Sequence, residues 1–342
     1  MNKMKHQLTF LLLFIILFIF TVLNLSLGSV KIPLNELISI LLGQGSENSS
    51  WEYIILQFRF PKAITAILVG AGLSVCGLLM QTLFRNPLAG PYVLGLSSGA
   101  SLGVALLFLG GSLFGGFFAS LIFSKWAVVL AATLGSGLVM LAVISTAIRI
   151  KDTMALLIIG LMFASLTGAV VSILAYFSPA NQLQQYVFWS FGSLGNLNWN
   201  EVFILSICVT CGLILSLFSL KNMNALLLGE SYAQSLGVSI HKNRNLVILA
   251  TGIMAGSITA FAGPIAFVGL AVPHLVKQVV KTSNHFILFP SVLFCGASIM
   301  LVCDSIAQLP GSDFTLPINA VTSIFGAPVV IWLLLRKKKM LF

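Results

Sequence analysis

Charged residues are scarce in this sequence. Of its 342 residues only 8% are charged, and just eight of them are acidic, whereas 58% are hydrophobic. Soluble domains carry roughly a quarter charged residues, so the composition excludes a chain whose main solvent is water. The mean hydropathy of +1.06 instead predicts a protein that is embedded in a lipid bilayer.

Short segments of alternating polarity, which are typical of membrane barrels, are also lacking. The apolar runs instead reach about 20 residues, the length at which a helix crosses a bilayer. Because a helix satisfies its own backbone groups in lipid, we predict an all-α membrane protein, a polytopic bundle of about ten transmembrane helices. The predicted spans are 8–28, 61–83, 93–110, 126–148, 154–177, 201–219, 244–262, 266–282, 286–308 and 318–336. The third and eighth contain Gly or Pro and are expected to be short or broken.

Motifs for nucleotide binding and catalysis are missing. The chain has no G-x-x-x-x-G-K-[ST] sequence, which excludes a P-loop, and neither H-E-x-x-H nor G-x-S-x-G occurs. Cys208 and Cys211 form a C-x-x-C, but no second pair and no nearby histidine accompanies them, so no metal site is expected. His274 follows Pro273, and we expect it to satisfy backbone groups that the proline frees. We therefore predict no cofactor and no enzymatic activity.

Acidic residues are nearly absent from the predicted spans. Asp304 is the only carboxylate deep in one of them, and two interpretations stay open: a helix-end group with a backbone or serine partner, or a role in transport. An ion-coupled carrier needs buried ionisable groups as relays, so this scarcity argues against that alternative without closing it.

The net charge of +10 is distributed unevenly along the chain. If the N-terminus is cytoplasmic, all of the 18 basic residues except Lys31, Arg59, Lys62 and Lys125 fall on the cytoplasmic side. This bias is the positive-inside rule, which explains the charge without a nucleic-acid partner. We predict an even number of spans in the cytoplasmic membrane, with both termini cytoplasmic and lipid around the bundle.

Two longer polar segments lie between the spans. The outer one, 178–200, is predicted to be amphipathic, since its Tyr186, Trp189 and Trp199 suit a membrane interface. The inner one, 221–244, is predicted to form two short helices that are broken at Gly229 and end at Gly237. A lipid-binding hairpin would need a basic face, so docking of a partner is favoured for this segment.

Helix breakers and small residues concentrate in "RNPLAGPYVLGLSSGASLG", residues 85–103. The prolines predict a tight cytoplasmic turn between the second and third spans. Gly95, Gly99 and Gly103 are spaced four apart, so we predict a smooth helix face for close packing, with a pore-lining stripe as the alternative.

A short repeat links two distant parts of the chain. "AGPYVLGL" at 89–96 and "AGPIAFVGL" at 262–270 share their first three and last two residues, and they fall on opposite membrane faces. An inverted repeat of spans two to five and seven to ten would produce this arrangement, although the match is short enough for coincidence.

Four motifs occur together in one order: the stretch 59–103, "LLLGESYAQSLGV" at 226–238, "GPIAFVGLAVPH" at 263–274 and "LPINAVTSIFGAPVVIWLLLR" at 316–336. In combination they resemble FecCD-type permease subunits of ABC importers for iron–siderophore, haem or vitamin B12. The resemblance implies one transmembrane permease domain over 1–342 that works with a second permease copy, identical or closely related. It also implies two cytoplasmic ATPase subunits, which hydrolyse the ATP, and an extracytoplasmic substrate-binding protein.

The resemblance also implies roles for individual residues. ATPase coupling falls to Gly229, Glu230, Ala233, Leu236 and Gly237. A cytoplasmic gate matches Asn86, Leu88, Thr153 and Met154, although the methionine is bulkier and less polar than the family pattern. Docking of the binding protein matches Arg59 and Lys62, with anchoring at the membrane interface as the alternative. The expected function is import by alternating access, and an ion-coupled secondary transporter is the second hypothesis.

Overall fold

The computed structural model describes residues 2–46, 48–110, 124–150, 152–312 and 314–335. All regular secondary structure within these residues is helical. The α-helices are α1 Asn2–Ser26, α2 Leu34–Leu41, α3 Ser49–Ile54, α4 Phe60–Leu83, α5 Leu96–Phe108, α6 Lys125–Arg149, α7 Thr153–Tyr176, α8 Ala180–Ser190, α9 Trp199–Leu226, α10 Glu230–Ser235, α11 Ile240–Ala262, α12 Val268–Val280, α13 His285–Ala307 and α14 Ile318–Leu335. A π-helical turn, Ile55–Arg59, leads into α4, and a 3-10 turn, Pro91–Leu94, leads into α5.

The predicted spans correspond to ten apolar helices in the described part of the chain. Seven are long and apolar enough to cross a membrane, namely α1, α4 with the turns before it, α6, α7, α9, α11 and α13. The shorter apolar helices α5, α12 and α14 complete the set. As expected for the third and eighth spans, α5 and α12 have only 13 residues each. The prediction of an all-α bundle with about ten spans is confirmed.

Hydrogen bonds bring the ends of α4 and α9 together with the start of α13, while the ends of α1 and α13 meet the start of α4. The first of these groups, called the basic end below, includes Arg85 in the turn after α4, and Lys221 and Lys277 in the last turns of α9 and α12. The opposite end carries the start of α4. The basic residues at 151 and 336–339, which the charge map also used, lie outside the described residues.

Helix α4 forms the centre of the bundle and is buried over most of its length. Glycines let its neighbours approach: a Cβ on Gly70 would lie 2.3 Å from the carbonyl oxygen of Gly296 in α13. A Cβ on Gly77 would lie only 1.6 Å from the carbonyl oxygen of Gly269 in α12. The backbones therefore meet directly at these two crossings, as small residues allow in membrane bundles.

The two repeated A-G-P sequences lead to matching structures. Each precedes a 13-residue helix, α5 or α12. Gly269, within the second copy, lies beside Pro91 of the first copy and also faces the backbone of Leu73 in the middle of α4. The helices α4–α7 and α11–α14 thus follow the same sequence of one long, one short and two further helices, which supports the inverted repeat.

The inner polar segment differs from its prediction. Helix α9 does not stop near residue 219 but continues to Leu226, because Lys221–Leu226 contains no helix breaker. The predicted pair of short helices is therefore wrong, and a single six-residue helix, α10, stands between the ends of α9 and α11. In the outer segment, Pro179 precedes α8, an 11-residue helix that carries Tyr186 and Trp189.

Candidate coupling and gating site

Helix α10 is set off from the bundle by two glycines in left-handed backbone conformations. Gly229 has φ +114° and Gly237 has φ +81°. Residues with a Cβ are strained in this region, so glycine is needed at both positions to reverse the chain within so few residues. The result is a short helix held between α9 and α11, with Glu230 in its first turn.

Ala233 of α10 is fully buried against the bundle, whereas Leu228, Tyr232 and Leu236 are 66%, 52% and 60% exposed. Tyr232 lies in α10, and Leu228 and Leu236 lie just before and just after it. These three exposed residues are called the α10 apolar stripe below. Leu236 was predicted to act here, but Leu228 and Tyr232 were missed, although their spacing of four in the sequence could have indicated them.

The turn after α4 is fixed by hydrogen bonds within it and from α12. The Asn86 Oδ1 atom accepts from the Leu88 backbone N–H at 2.9 Å, and the His274 Nε2–H donates to the Pro87 carbonyl at 2.6 Å. Leu88 is 47% exposed. The expectation that His274 satisfies groups freed by Pro273 is wrong, because it binds a carbonyl of a different turn, 187 residues away in sequence.

Two arginines join the helix ends on either side of α10 to neighbouring helix ends; the stretch from Gly229 to Gly237 is called the coupling segment below, after its predicted role. Arg85 Nη2 donates to the carbonyl of Leu226, the last residue of α9, at 3.0 Å. Arg244, in the first turns of α11, is buried and donates to the carbonyl of Ala147 near the end of α6. Carbonyls in the last turn of a helix have no helical partner of the usual kind, so they can accept from such side chains; the Leu226 carbonyl also accepts from the Gly229 backbone N–H at 3.1 Å. Each side of α10 is thus tied to a different turn of the basic end.

The second predicted gate pair begins α7. The Asp152 carboxylate caps this helix by accepting from the Met154 backbone N–H at 2.8 Å, and the Met154 side chain is half exposed. Thr153 is the first residue of α7. This pair follows α6, the helix that Arg244 binds, and the pair Asn86 and Leu88 follows Arg85. Their role as a gate stays a prediction.

A buried polar cluster ties three helix ends together beside these turns. The His285 Nδ1 atom lies 2.9 Å from the Asn224 Oδ1 atom, and its Nε2 atom lies 2.8 Å from the Thr82 Oγ1 atom. The amide oxygen can only accept, so Nδ1 carries a proton. The Thr82 hydroxyl also donates to the Leu78 carbonyl at 3.0 Å. His285 thus joins α4, α9 and α13 at the basic end.

At the opposite end, Arg59 is directed into the protein. Its guanidinium donates to the carbonyls of Leu25 at 2.8 Å and Ser26 at 2.9 Å, and also to that of Val30. Only 8% of the residue is exposed. The positive charge therefore caps the C-terminal end of α1, where it also interacts favourably with the helix dipole.

Lys62 forms an ion pair with Asp304, with 3.1 Å between its Nζ atom and Oδ1. The Asp304 carboxylate also accepts from the side-chain amides of Asn24 at 2.9 Å and Gln308 at 2.7 Å. The interpretation that gives Asp304 a backbone or serine partner is wrong, since its partners come from three other positions. Arg59 and Lys62 thus both have partners within the chain, and their docking role stays a prediction.

The three glycines of the predicted face have two structural roles. Gly99 and Gly103 lie against α6, where a Cβ would meet the carbonyl oxygens of Gly135 at 2.6 Å and Ala131 at 2.0 Å. Gly95 instead precedes α5 with φ +76° and lies beside the backbone of Gly160 in α7. The seam between α5 and α6 therefore contains two of the three glycines, and the third serves the turn.

Metal-binding groups do not gather at any of these places. Within the described ranges, no three His, Cys, Asp or Glu side chains come close enough to hold a metal ion. Cys208 and Cys211 are both free thiols.

Comparisons with known proteins agree with this architecture. The model of the FecCD transport family matches residues 15–336. The vitamin B12 import system permease protein BtuC of Klebsiella pneumoniae is 35% identical over 327 residues, which cover 95% of this chain and 92% of that protein. The hemin transport system permease protein HmuU of Yersinia pestis is 33% identical, over 92% and 93% of the two chains. A solved inward-facing metal-chelate type ABC transporter superposes with a TM-score of 0.82 at 30% identity, covering 96% of this chain and 98% of that one.

Proposed function

The chain belongs to the FecCD transport family, and from that premise we propose that it is the permease subunit of an ATP-driven importer for a metal chelate or corrinoid. The family consists of multi-pass membrane permeases rather than enzymes. The observation that carries the proposal is α10 with its apolar stripe, because a bundle without an ATP site needs a surface through which another protein can drive it.

The proposed mechanism is alternating access driven from the basic end. This end faces the cytoplasm in the proposal, in agreement with the positive-inside rule. ATP binding and hydrolysis in two partner subunits would shift α10 as a rigid body. Arg85 and Arg244 would pass that shift to the turns that carry Asn86, Leu88, Thr153 and Met154, which open and close around the substrate path.

The proposed assembly contains a second permease copy, two ATPase subunits and a substrate-binding protein on the outer face. Exposed apolar surface supports a second copy: Leu161, Leu166 and Ile173 of α7 are all at least 44% exposed. Arg59 and Lys62 are proposed to contribute to the surface that the binding protein meets. Since both charges already have partners, this contribution would come from the shape and polarity of the cluster more than from free charge.

The proposed substrate is an iron–siderophore, with haem and vitamin B12 as the related choices. Two relatives that cover almost the whole chain are permeases for vitamin B12 and for hemin. A siderophore complex belongs to the same class of large metal-containing molecules that the family carries.

The deciding experiment is reconstitution of the full chain in liposomes with its ATPase and binding protein. Uptake of a radiolabelled ferric siderophore, haem or cobalamin is measured with ATP, without ATP, and with an imposed proton or sodium gradient. We expect uptake only with ATP. Uptake that follows the ion gradient, or that persists without ATP, would refute the proposal.

The structure weakens the ion-coupled alternative, because its candidate proton carrier, Asp304, already has partners. Asp304 is engaged by Lys62 and by two amides, so it is not a free carboxylate that could bind and release a proton. Glu201, the other buried carboxylate of the described residues, closes a capping box with Asn198 at the start of α9.

A further inference from the structure

A cavity of about 290 Å³ opens at the basic end, between the ends of α4, α9 and α12 and the start of α13. Its polar lining consists of Gln81, Thr82, Arg85, Lys277, Ser283 and His285. Its apolar lining includes Leu226, Leu227 and Leu228, so the cavity reaches the first residue of the α10 apolar stripe and ends at Gly229.

The charged side chains in the described lining of this cavity are all basic. Arg85 and Lys277 both line it, and no acidic side chain does so among the residues that the structure describes. Lys277 is half-buried and makes no ion pair or side-chain hydrogen bond within the described ranges. Burial of an ammonium group without a partner is costly, so the pair of cations favours an anion in the cavity.

The start of α13 strengthens this preference. Ser283 and His285 line the cavity on either side of Asn284, which caps this 23-residue helix. The N-terminus of a helix carries partial positive charge and favours anions nearby. The backbone N–H groups of His285 and Phe286 are bonded to the side chains of Asn224 and Asn284, so the helix contributes through its dipole and not through these donors.

One further atom narrows the chemistry of the ligand. The Gln81 Oε1 atom is buried without a hydrogen-bond partner, while the amide nitrogen of the same side chain donates to the Leu270 carbonyl. An unpaired acceptor beside two cations suits an anion that also carries a hydroxyl. Inorganic phosphate offers one as its monoprotonated form, and phosphatidylglycerol offers one in its glycerol headgroup.

We propose that this cavity binds a phosphate group, held by Arg85 and Lys277, with Gln81 accepting from a hydroxyl of the ligand. The group has two possible sources, free phosphate and the headgroup of an anionic phospholipid. Clusters of basic side chains between transmembrane helices are suited to such headgroups. The inference does not rest on the proposed transport function, since it concerns binding by the permease alone.

The experiment measures binding to the purified full chain in neutral detergent. One arm titrates radiolabelled inorganic phosphate, and a second arm titrates phosphatidylglycerol, followed by native mass spectrometry with phosphatidylcholine as the lipid of zero net charge. Saturable binding in the first arm alone identifies free phosphate, and binding of phosphatidylglycerol over phosphatidylcholine identifies the headgroup. If neither probe binds saturably, the proposal is overturned.

Variants then test whether the bound phosphate group lies in this cavity. We expect Lys277→Gln to weaken binding at least about tenfold, as loss of one charge-assisted hydrogen bond does. Lys277→Arg should retain binding, as should Lys221→Gln, an exposed lysine at the same end that does not line the cavity. Equal binding by Lys277→Gln and the wild type would show that the group lies elsewhere.

A labelling measurement avoids any folding defect of the variants. An amine-reactive reagent is applied to the wild-type chain with and without the binding probe, and modified lysines are quantified by peptide mass spectrometry. The probe should protect Lys277 at least about tenfold, if it contacts the ammonium directly, and leave Lys221 unprotected. Equal labelling of Lys277 in both samples would refute the site.

Discussion

The guanidinium of Arg85 hydrogen-bonds the backbone carbonyl of Leu226 across 141 positions of sequence. Arg85 opens the turn that contains Asn86 and Leu88, and Leu226 ends α9 three residues before Gly229. The bond therefore joins a predicted gate turn to the helix end just before the coupling segment. A movement of α10 would reach that turn through a single contact.

We expect Arg85→Gln to lower the substrate imported per ATP hydrolysed without preventing assembly. The side chain is exposed, so the lost bond is worth only about 1 kcal/mol, and the protein should still fold. The measurement is the ratio of uptake to ATPase rate in proteoliposomes, with Lys221→Gln as a control that removes an equal charge at the same end. An unchanged ratio would show that Arg85 takes no part in coupling.

Substitution of Gly237 should impair coupling through the backbone alone. A Cβ at Gly237 meets no atom within 4 Å, but its φ of +81° strains any residue that has a Cβ. Gly237→Val should therefore cost at least about 1 kcal/mol and distort the exit from α10. Gly137→Val is the matched control, since a Cβ there also meets open space and its φ is ordinary. Transport and ATPase stimulation are compared, and equal activity of the two variants would contradict the assignment.

Packing of α5 against α6 predicts a different kind of defect. A Cβ on Gly103 would lie 2.0 Å from the carbonyl oxygen of Ala131, so Gly103→Leu must push the helices apart. We expect a loss of about 1–3 kcal/mol, the usual cost of overpacking, seen as a lower thermal midpoint in detergent. Gly137→Leu on α6 is the control, because its side chain would enter open space. Equal thermal midpoints for Gly103→Leu and the control would show that α5 and α6 can separate at little cost in stability.

The Lys62–Asp304 pair can be tested by a double-mutant cycle. Each of Lys62→Met and Asp304→Asn leaves a poorly solvated charge, so each should destabilise the chain by about 2–3 kcal/mol. The double variant removes both charges and should lose clearly less than the sum of the single losses. Additive losses would show that the two groups are not coupled. Binding of the extracytoplasmic protein by the same variants separates a structural role from a docking role.

Much of the fold can be read from the sequence because lipid permits so few backbone arrangements. Runs of apolar residues and the bias of basic residues predict the ten spans and their alternation, and Gly and Pro predict the short α5 and α12. The end of α9 cannot be read in the same way. Polarity rises after Leu220, but a helix continues until its backbone is broken, and the break comes only near Gly229.

A single sequence does not indicate which residues far apart in the chain come into contact. Asp304 lies 242 positions from Lys62, and nothing in the local pattern around either residue indicates the other. The family resemblance implies a docking role for Arg59 on the outer face, yet its partners in the structure are backbone carbonyls, which every residue has. The sequence places Arg85 and Arg244 among the cytoplasmic charges, but the carbonyls that they bind can be identified only from the fold.

The α10 apolar stripe also matters for the biogenesis of this protein. Leu228, Tyr232 and Leu236 are exposed. If the proposed ATPase subunit covers them, a permease without that subunit leaves apolar side chains in water. Such a surface invites self-association and recognition by quality-control proteases. Yield of the permease in a cell should therefore rise when the subunit that covers the stripe is produced with it.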